Sequence, residues 1–298
     1  MNTQTFGQLA ALGTALCWAV TSTSFESAGK RVGSFQVNLI RLVVAFLIFT
    51  LYSMVVYRQP LPLQAGGHVW IWLSLSGLVG FVFGDLFLFQ AFVDVGARTA
   101  MLVYSLVPPM TALLGRIILK EVLTPLQLVG MVITVVGIMI VVTGQSRVNQ
   151  LPHPHRLRGI WFAVLGALGQ ALGLVLGRYG APSYDPFGAT QIRALAGVVG
   201  FAVLFTVMRR WRRVYPALSD RPAMRSIIRG AFFGPFLGVT LALFAAQRTG
   251  TGIASTLTAT VPVILIPVAI FGKKETVAFQ EILGAVVAVG GVAVLFLA

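Results

Sequence analysis

The sequence predicts an all-α integral membrane protein, with ten transmembrane helices arranged as two inverted five-helix repeats. Three observations predict it. First, 57% of the 298 residues are hydrophobic and only 10% are charged, with a mean hydropathy of +0.89. A soluble domain carries roughly 25% charged residues, so a soluble enzyme, a coiled coil and a disordered regulator are excluded. Second, apolar runs of about 20 residues recur along the chain, the length that crosses a bilayer as a helix. Third, the second half of the chain repeats the first.

The ten runs are 7–28, 35–57, 69–91, 97–119, 124–144, 157–179, 186–208, 227–246, 252–272 and 277–297. They lack the period-two alternation of barrel strands, and lipid admits only helices or closed barrels. Run one holds Trp18 and the single cysteine, Cys17, which can form neither an internal disulfide nor a zinc site. No Lys or Arg precedes Lys30, so the basic start of a secretory signal is missing. Glu26 can pair with Lys30 one turn on. Run two carries Arg41. Run three has Gly77, Gly80 and Gly84, read as close helix packing, and then Asp85. Run four carries Tyr104, the pair Pro108-Pro109 and Arg116, and ends at Lys120-Glu121, which reads as turn and cap chemistry. Gly130 and Gly137 lie in run five.

A loop with Pro152, His153, Pro154 and His155 leads to the second half. Run six carries Gln170 and run seven Arg193. The connection at 209–229 is the longest and most basic. Run eight brings Thr240 and Phe244; run nine brings Thr256, Thr260 and Pro262 and is followed by Lys274-Glu275; run ten holds Gly284 and Gly291.

The repeat is in register. A shift of 154 carries Gly96 to Gly250, Val107-Pro108 to Val261-Pro262, Lys120-Glu121 to Lys274-Glu275, and Gly130 and Gly137 to Gly284 and Gly291. A shift of 152 carries Phe35 to Phe187 and Ile40-Arg41 to Ile192-Arg193. The organisation is therefore a first five-helix repeat at 1–146, an inter-repeat loop at 147–156 and a second repeat at 157–298. Five is odd, so the first unit ends on the face opposite its start and the second enters upside down. That is the inverted-repeat plan of secondary transporters, whose site lies between the halves.

Charges at membrane depth are costly and mark either scaffold or site. Arg41, Asp85 and Arg193 are the candidates. Asp85 reads as a proton carrier or ammonium anchor, or as a structural partner of Arg41; the two arginines, being repeat-equivalent, read first as scaffold. Pro108 and Pro262 are candidate helix kinks beside a cavity. Polar and aromatic groups at depth give the candidate cavity lining: Trp18, Asp85, Tyr104, Gln170, Thr240, Phe244, Thr256 and Thr260. No phosphate loop, His-Glu-x-x-His or nucleophile elbow occurs, so neither an enzyme nor a cofactor or metal is expected.

These features resemble the drug/metabolite transporter superfamily, in particular its EamA-type members, over nearly the whole chain. The likeness rests on Trp18, Arg41 with Arg193, and the two copies of the Pro…Lys-Glu…Gly…Gly segment beginning at Pro108 and Pro262. In general look the chain is similar to exporters of aromatic amino acids of the YddG type. The resemblance implies a multi-pass carrier of small metabolites in a cell membrane, namely a bacterial inner membrane, with an amino acid as cargo; export of drugs or organic cations is the alternative. Its partners are then a small-molecule substrate and the lipid bilayer, not nucleic acid. The 22 Lys+Arg against 8 Asp+Glu read as a topology signal. One face collects about 15 cationic residues and the other about 5, which puts both termini outside; the family resemblance implies both inside.

Overall fold

A computed structural model describes residues 3–145, 156–267 and 278–298. The described residues are helical and contain no strand. In the first half they form α1 (Thr3–Val32), α2 (Ser34–Val56), α3 (Gly67–Gly77), a π-helical segment (Leu78–Gly84), α4 (Asp85–Tyr104), α5 (Val107–Ile118) and α6 (Pro125–Gln145). The second half has α7 (Arg156–Gly180), α8 (Pro186–Val207), α9 (Val214–Ser219), α10 (Arg221–Ala231), a second π-helical segment (Phe232–Gly238), α11 (Val239–Thr249), α12 (Thr251–Thr258), α13 (Val261–Pro267) and α14 (Phe279–Leu297). Seven helical stretches among these are long and apolar enough to cross a bilayer, and Val107–Ile118 is a shorter apolar one.

The repeat extends to backbone detail. The two π-helical segments are separated by the 154-residue shift at both ends. Leu106 N–H bonds Val103 O at 3.1 Å, and its equivalent Thr260 N–H bonds Leu257 O at 3.3 Å. Both tightened turns precede a proline at the second position of the next helix, Pro108 in α5 and Pro262 in α13. There the missing N–H costs nothing, because a helix's first donors have no intrahelical acceptor. The prolines therefore start new half-helices instead of kinking continuous ones.

The inversion is visible in the packing. A Cβ at Gly137 in α6 would overlap the backbone of Ala288 in α14, and one at Gly130 would meet Leu295 Cγ at 3.0 Å. Gly284 faces Val141, while Gly291 faces Thr134. Early residues of α6 thus meet late residues of α14, so two repeat-equivalent helices run antiparallel. The same crossing occurs twice more between non-equivalent helices. The first π-helical segment lies on α7 through Gly80 against Gly173 and Gly84 against Gly169; the second lies on α1 through Gly234 against Thr21 and Gly238 against Trp18. Helices α2 and α8 are also antiparallel: Phe35 touches Phe201 and Phe205, and Tyr52 stacks on Phe187 at 4.5 Å. Between their other ends, Gln191 accepts from Ser53 Oγ (2.9 Å) and donates to Pro60 O (2.7 Å) and Thr50 Oγ1 (3.3 Å).

Three expectations change. No turn falls at 92–96: the backbone stays helical from Gly67 to Tyr104 and breaks at Ser105-Leu106. In the second copy Gly250 (φ 89°) does end α11, in the left-handed region open to glycine. Between 92 and 96 no proline forces the same exit. Second, the basic connection at 209–229 is largely ordered, with a 3₁₀ turn at Trp211–Arg213, α9, and α10 starting at Arg221. Asp220 caps α10 by accepting from Ala223 N–H at 2.9 Å, and Pro222 sits in the first turn. Third, run nine is split into α12 and α13. Of the loop at 147–156 only Arg156 is described, and it opens α7. His153, His155, Lys274 and Glu275 lie outside the described residues, as does the side chain of Glu26.

Candidate functional site

Where the two halves meet, a cavity of about 50 Å³ is lined by Trp18, Phe81, Tyr104, Val107, Gln170, Leu174, Arg193, Val239, Ala242, Ser255, Thr258 and Ala259. That is room for roughly four waters, so a larger solute enters only as the walls part. Two repeat-related pairs stand in the wall. Trp18 and Gln170 are equivalent under the 152 shift, and each lies against the last glycine of a π-helical segment, Gly238 and Gly84 respectively. Tyr104 and Thr258 are equivalent under the 154 shift, and each closes the helix before a break. The absence of a side chain at Gly84 and Gly238 lets α7 and α1 approach closely: a Cβ there would stand 3.2 Å from Gln170 N and 2.8 Å from Trp18 Nε1. The wider turn of a π-helical segment, frequent at functional sites, occurs here on both sides of the chamber.

Behind this wall lies the buried charge. Arg41 forms an ion pair with Asp85, with both side chains only 9% exposed. Gln170 Nε2 donates to Asp85 Oδ1 (2.8 Å) and to Gly80 O (3.2 Å). Arg41 also lies over the rings of Phe25 (5.2 Å) and Phe89 (5.5 Å). Asp85 is therefore satisfied from two sides. Arg193 differs in having no ion pair among the described residues: its guanidinium lies over Phe81 at 5.1 Å, and its buried Nε and Nη1, like Arg41 Nε, have no hydrogen-bond partner.

Of the residues singled out by sequence, Trp18, Tyr104 and Gln170 line this cavity, and Asp85 stands one contact behind Gln170. Four do not line it. Thr240 and Thr256 return their hydroxyls to their own helices, at Phe236 O and Gly252 O, and Thr260 bonds Leu257 O. Phe244 lies under Arg248 at 4.8 Å. A buried threonine in a helix often spends its hydroxyl on the preceding turn, as these three do. Sequence reading took Arg193 as scaffold and passed over Ser255 and Thr258. The 154 shift from Tyr104 was the signal that pointed to Thr258.

A second polar cluster ties the halves together. Glu121 Oε2 accepts from Thr251 N–H (2.9 Å) and Thr251 Oγ1 (2.7 Å), and Glu121 Oε1 pairs with Arg178 at 3.0 Å. Arg178 also donates to Ala246 O. Glu121 thus caps α12 of the opposite repeat, while its own neighbour α6 is capped by a reciprocal Thr124–Gln127 box. No group of three or more His, Cys, Asp or Glu that could hold a metal occurs among the described residues.

Comparison with known sequences and structures finds one family. The EamA-like transporter family matches residues 5–143 and, a second time, 157–297. A search of curated proteins gives no significant match. A solved structure described only as "Crystal structure of protein" is similar across 98% of this chain and 96% of that one, with a TM-score of 0.72 and 17% identity. At that identity the likeness speaks for the fold.

Proposed function

The chain belongs to the EamA-like transporter family, and from that premise we propose that it exports an amino acid across a bacterial inner membrane by alternating access. The single observation that carries this reading is the mirrored chamber wall. Trp18 with Gln170, and Tyr104 with Thr258, bring equivalent parts of two inverted halves around one space. Halves of opposite orientation exchange roles when they rock, so one chamber opens to either side. A solute shifts that balance only through different affinity for the two states. The apolar wall of Trp18, Phe81, Leu174, Val239 and Ala242 suits a solute with an apolar body.

Export of drugs or organic cations is the less favoured reading. A cation in this cavity would meet Arg193, and the nearby carboxylate of Asp85 already holds Arg41 and Gln170. Counterflow of labelled amino acids in proteoliposomes tests the proposal. Saturable exchange of at least one amino acid is the expected result; absence of exchange across the full panel overturns the choice of cargo.

A further inference from the structure

We infer that the cavity takes a small monocarboxylate with an apolar body and that Arg193 binds its charge; this rests on the carrier reading above and narrows its cargo. Arg41 and Asp85 cancel each other. Arg193 is not cancelled. It is 4% exposed, lines the cavity, forms no ion pair among the described residues, and keeps Nε and Nη1 without acceptors. A buried guanidinium with unanswered donors is costly, and Nε and Nη1 are themselves fully buried, so a ligand reaches them only as the walls part.

The repeat shows why the acceptor is missing. Arg41 corresponds to Arg193, and Asp85 corresponds to Val239. In the first half the arginine on the second span finds an acid at the start of α4. At the matching start of α11 the second half has valine, and both Arg193 and Val239 face the cavity. The position that would hold an internal counter-ion thus carries an uncharged valine side chain on the cavity wall. Phe81 offers its ring face to the guanidinium, but not to the in-plane N–H donors, which suit the two oxygens of a carboxylate.

The sign and size of the charge follow. Among the described residues no other charged side chain lines the cavity, so one negative charge neutralises it. A phosphate dianion would leave a new excess, and a cation would add to the existing one. An ammonium group meets only neutral partners there, such as Gln170, Tyr104, Ser255 and Thr258. The carboxylate is the recognised group; the amine of an amino acid is tolerated but not required.

The test uses the full chain in detergent and in proteoliposomes with four probes: 3-phenylpropionate, its amide, phenethylamine and phenylalanine. Equilibrium binding of labelled 3-phenylpropionate is measured beside counterflow. The two carboxylates should bind and exchange, the amide at least tenfold more weakly, and phenethylamine not at all. Arg193→Gln should weaken carboxylate binding at least tenfold and erase the preference for acid over amide, while Arg193→Lys retains part of that preference. Val239→Asp supplies the missing counter-ion from within and should abolish carboxylate binding in a protein that still elutes as a single species. This second variant decides the matter if Arg193→Gln fails to fold. Equal affinity for acid and amide, or a carboxylate preference that survives both substitutions, overturns the inference. Saturable exchange of phenethylamine or amide independent of Arg193 would leave the carrier reading intact and end this one. Arg193-dependent binding with no flux would do the reverse, and neither binding nor flux would end both.

Discussion

Glu121, on the connection that follows α5, accepts hydrogen bonds from both the N–H and the hydroxyl of Thr251, the first residue of α12 in the other repeat. One carboxylate thereby holds a helix N-terminus, where negative charge is favoured, and an arginine of a third helix, Arg178. Glu121→Gln keeps the shape but loses the charge. The expected cost is about 2 kcal/mol, that of one charge-assisted hydrogen bond, read as a lower melting temperature in detergent. If the contact also holds the two repeats together, a cysteine placed at the buried Thr251 should become more reactive to a membrane-impermeant reagent in the Glu121→Gln background. An unchanged melting temperature and labelling rate would show that the contact holds nothing shut.

Asp85→Asn tests the buried pair. It retains an oxygen for the Gln170 amide but leaves Arg41 charged and unopposed. Breaking a buried ion pair from one side costs about 3–5 kcal/mol. We expect poor recovery of folded protein and little transport, with Arg41→Gln added to Asp85→Asn restoring the fold in part. A singly substituted protein as stable as the parent would mean that the pair is dispensable.

Helices α6 and α14 approach each other closely along much of their length. A methyl group at Gly137 would overlap Ala288, and one at Gly291 would overlap Thr134. Gly137→Ala should therefore destabilise by about 1–3 kcal/mol through overpacking. Gly290, where an added Cβ meets nothing within 4 Å, is the control on the same helix. Gly290→Ala should leave the melting temperature in place or raise it slightly.

At the basic end, Arg31 bonds Asp220 through Nε and Nη2 at 3.0–3.2 Å. That contact, and then the Ala223 N–H, hold the Asp220 carboxyl below its usual value. A carboxyl depressed in the fold contributes stability above its unfolded pKa, near 3.9, and loses it as pH falls through the lower folded value. Proteolysis of the connection between α8 and α10 should thus be flat from about pH 5 to 8 and rise only below about pH 4. Asp220→Asn should show the faster cleavage at neutral pH as well.

Much of the architecture was legible because lipid simplifies the code. Run length gave the spans, and Pro108 with Pro262, and Gly130 and Gly137 with Gly284 and Gly291, gave the duplication. The helical path through Gly96 was not legible, because a glycine permits a turn without compelling one. The cavity was legible only in part. Trp18, Tyr104 and Gln170 stood out as large polar groups at depth, but a threonine's exposure depends on which way its helix faces. The decisive asymmetry, Asp85 against Val239, was present in the sequence all along. It takes on meaning only once both arginines are placed and one is seen to lack a partner.

Gln191 of α8 has three hydrogen-bond partners, Ser53, Thr50 and Pro60, all supplied by the first repeat. During synthesis those partners are already in the bilayer when α8 leaves the ribosome, so its amide is met on arrival. A chain permuted to begin at residue 157 would insert that amide before any of its three partners exists. The natural order of synthesis thus sets the hydroxyls and the carbonyl in place ahead of the amide they answer.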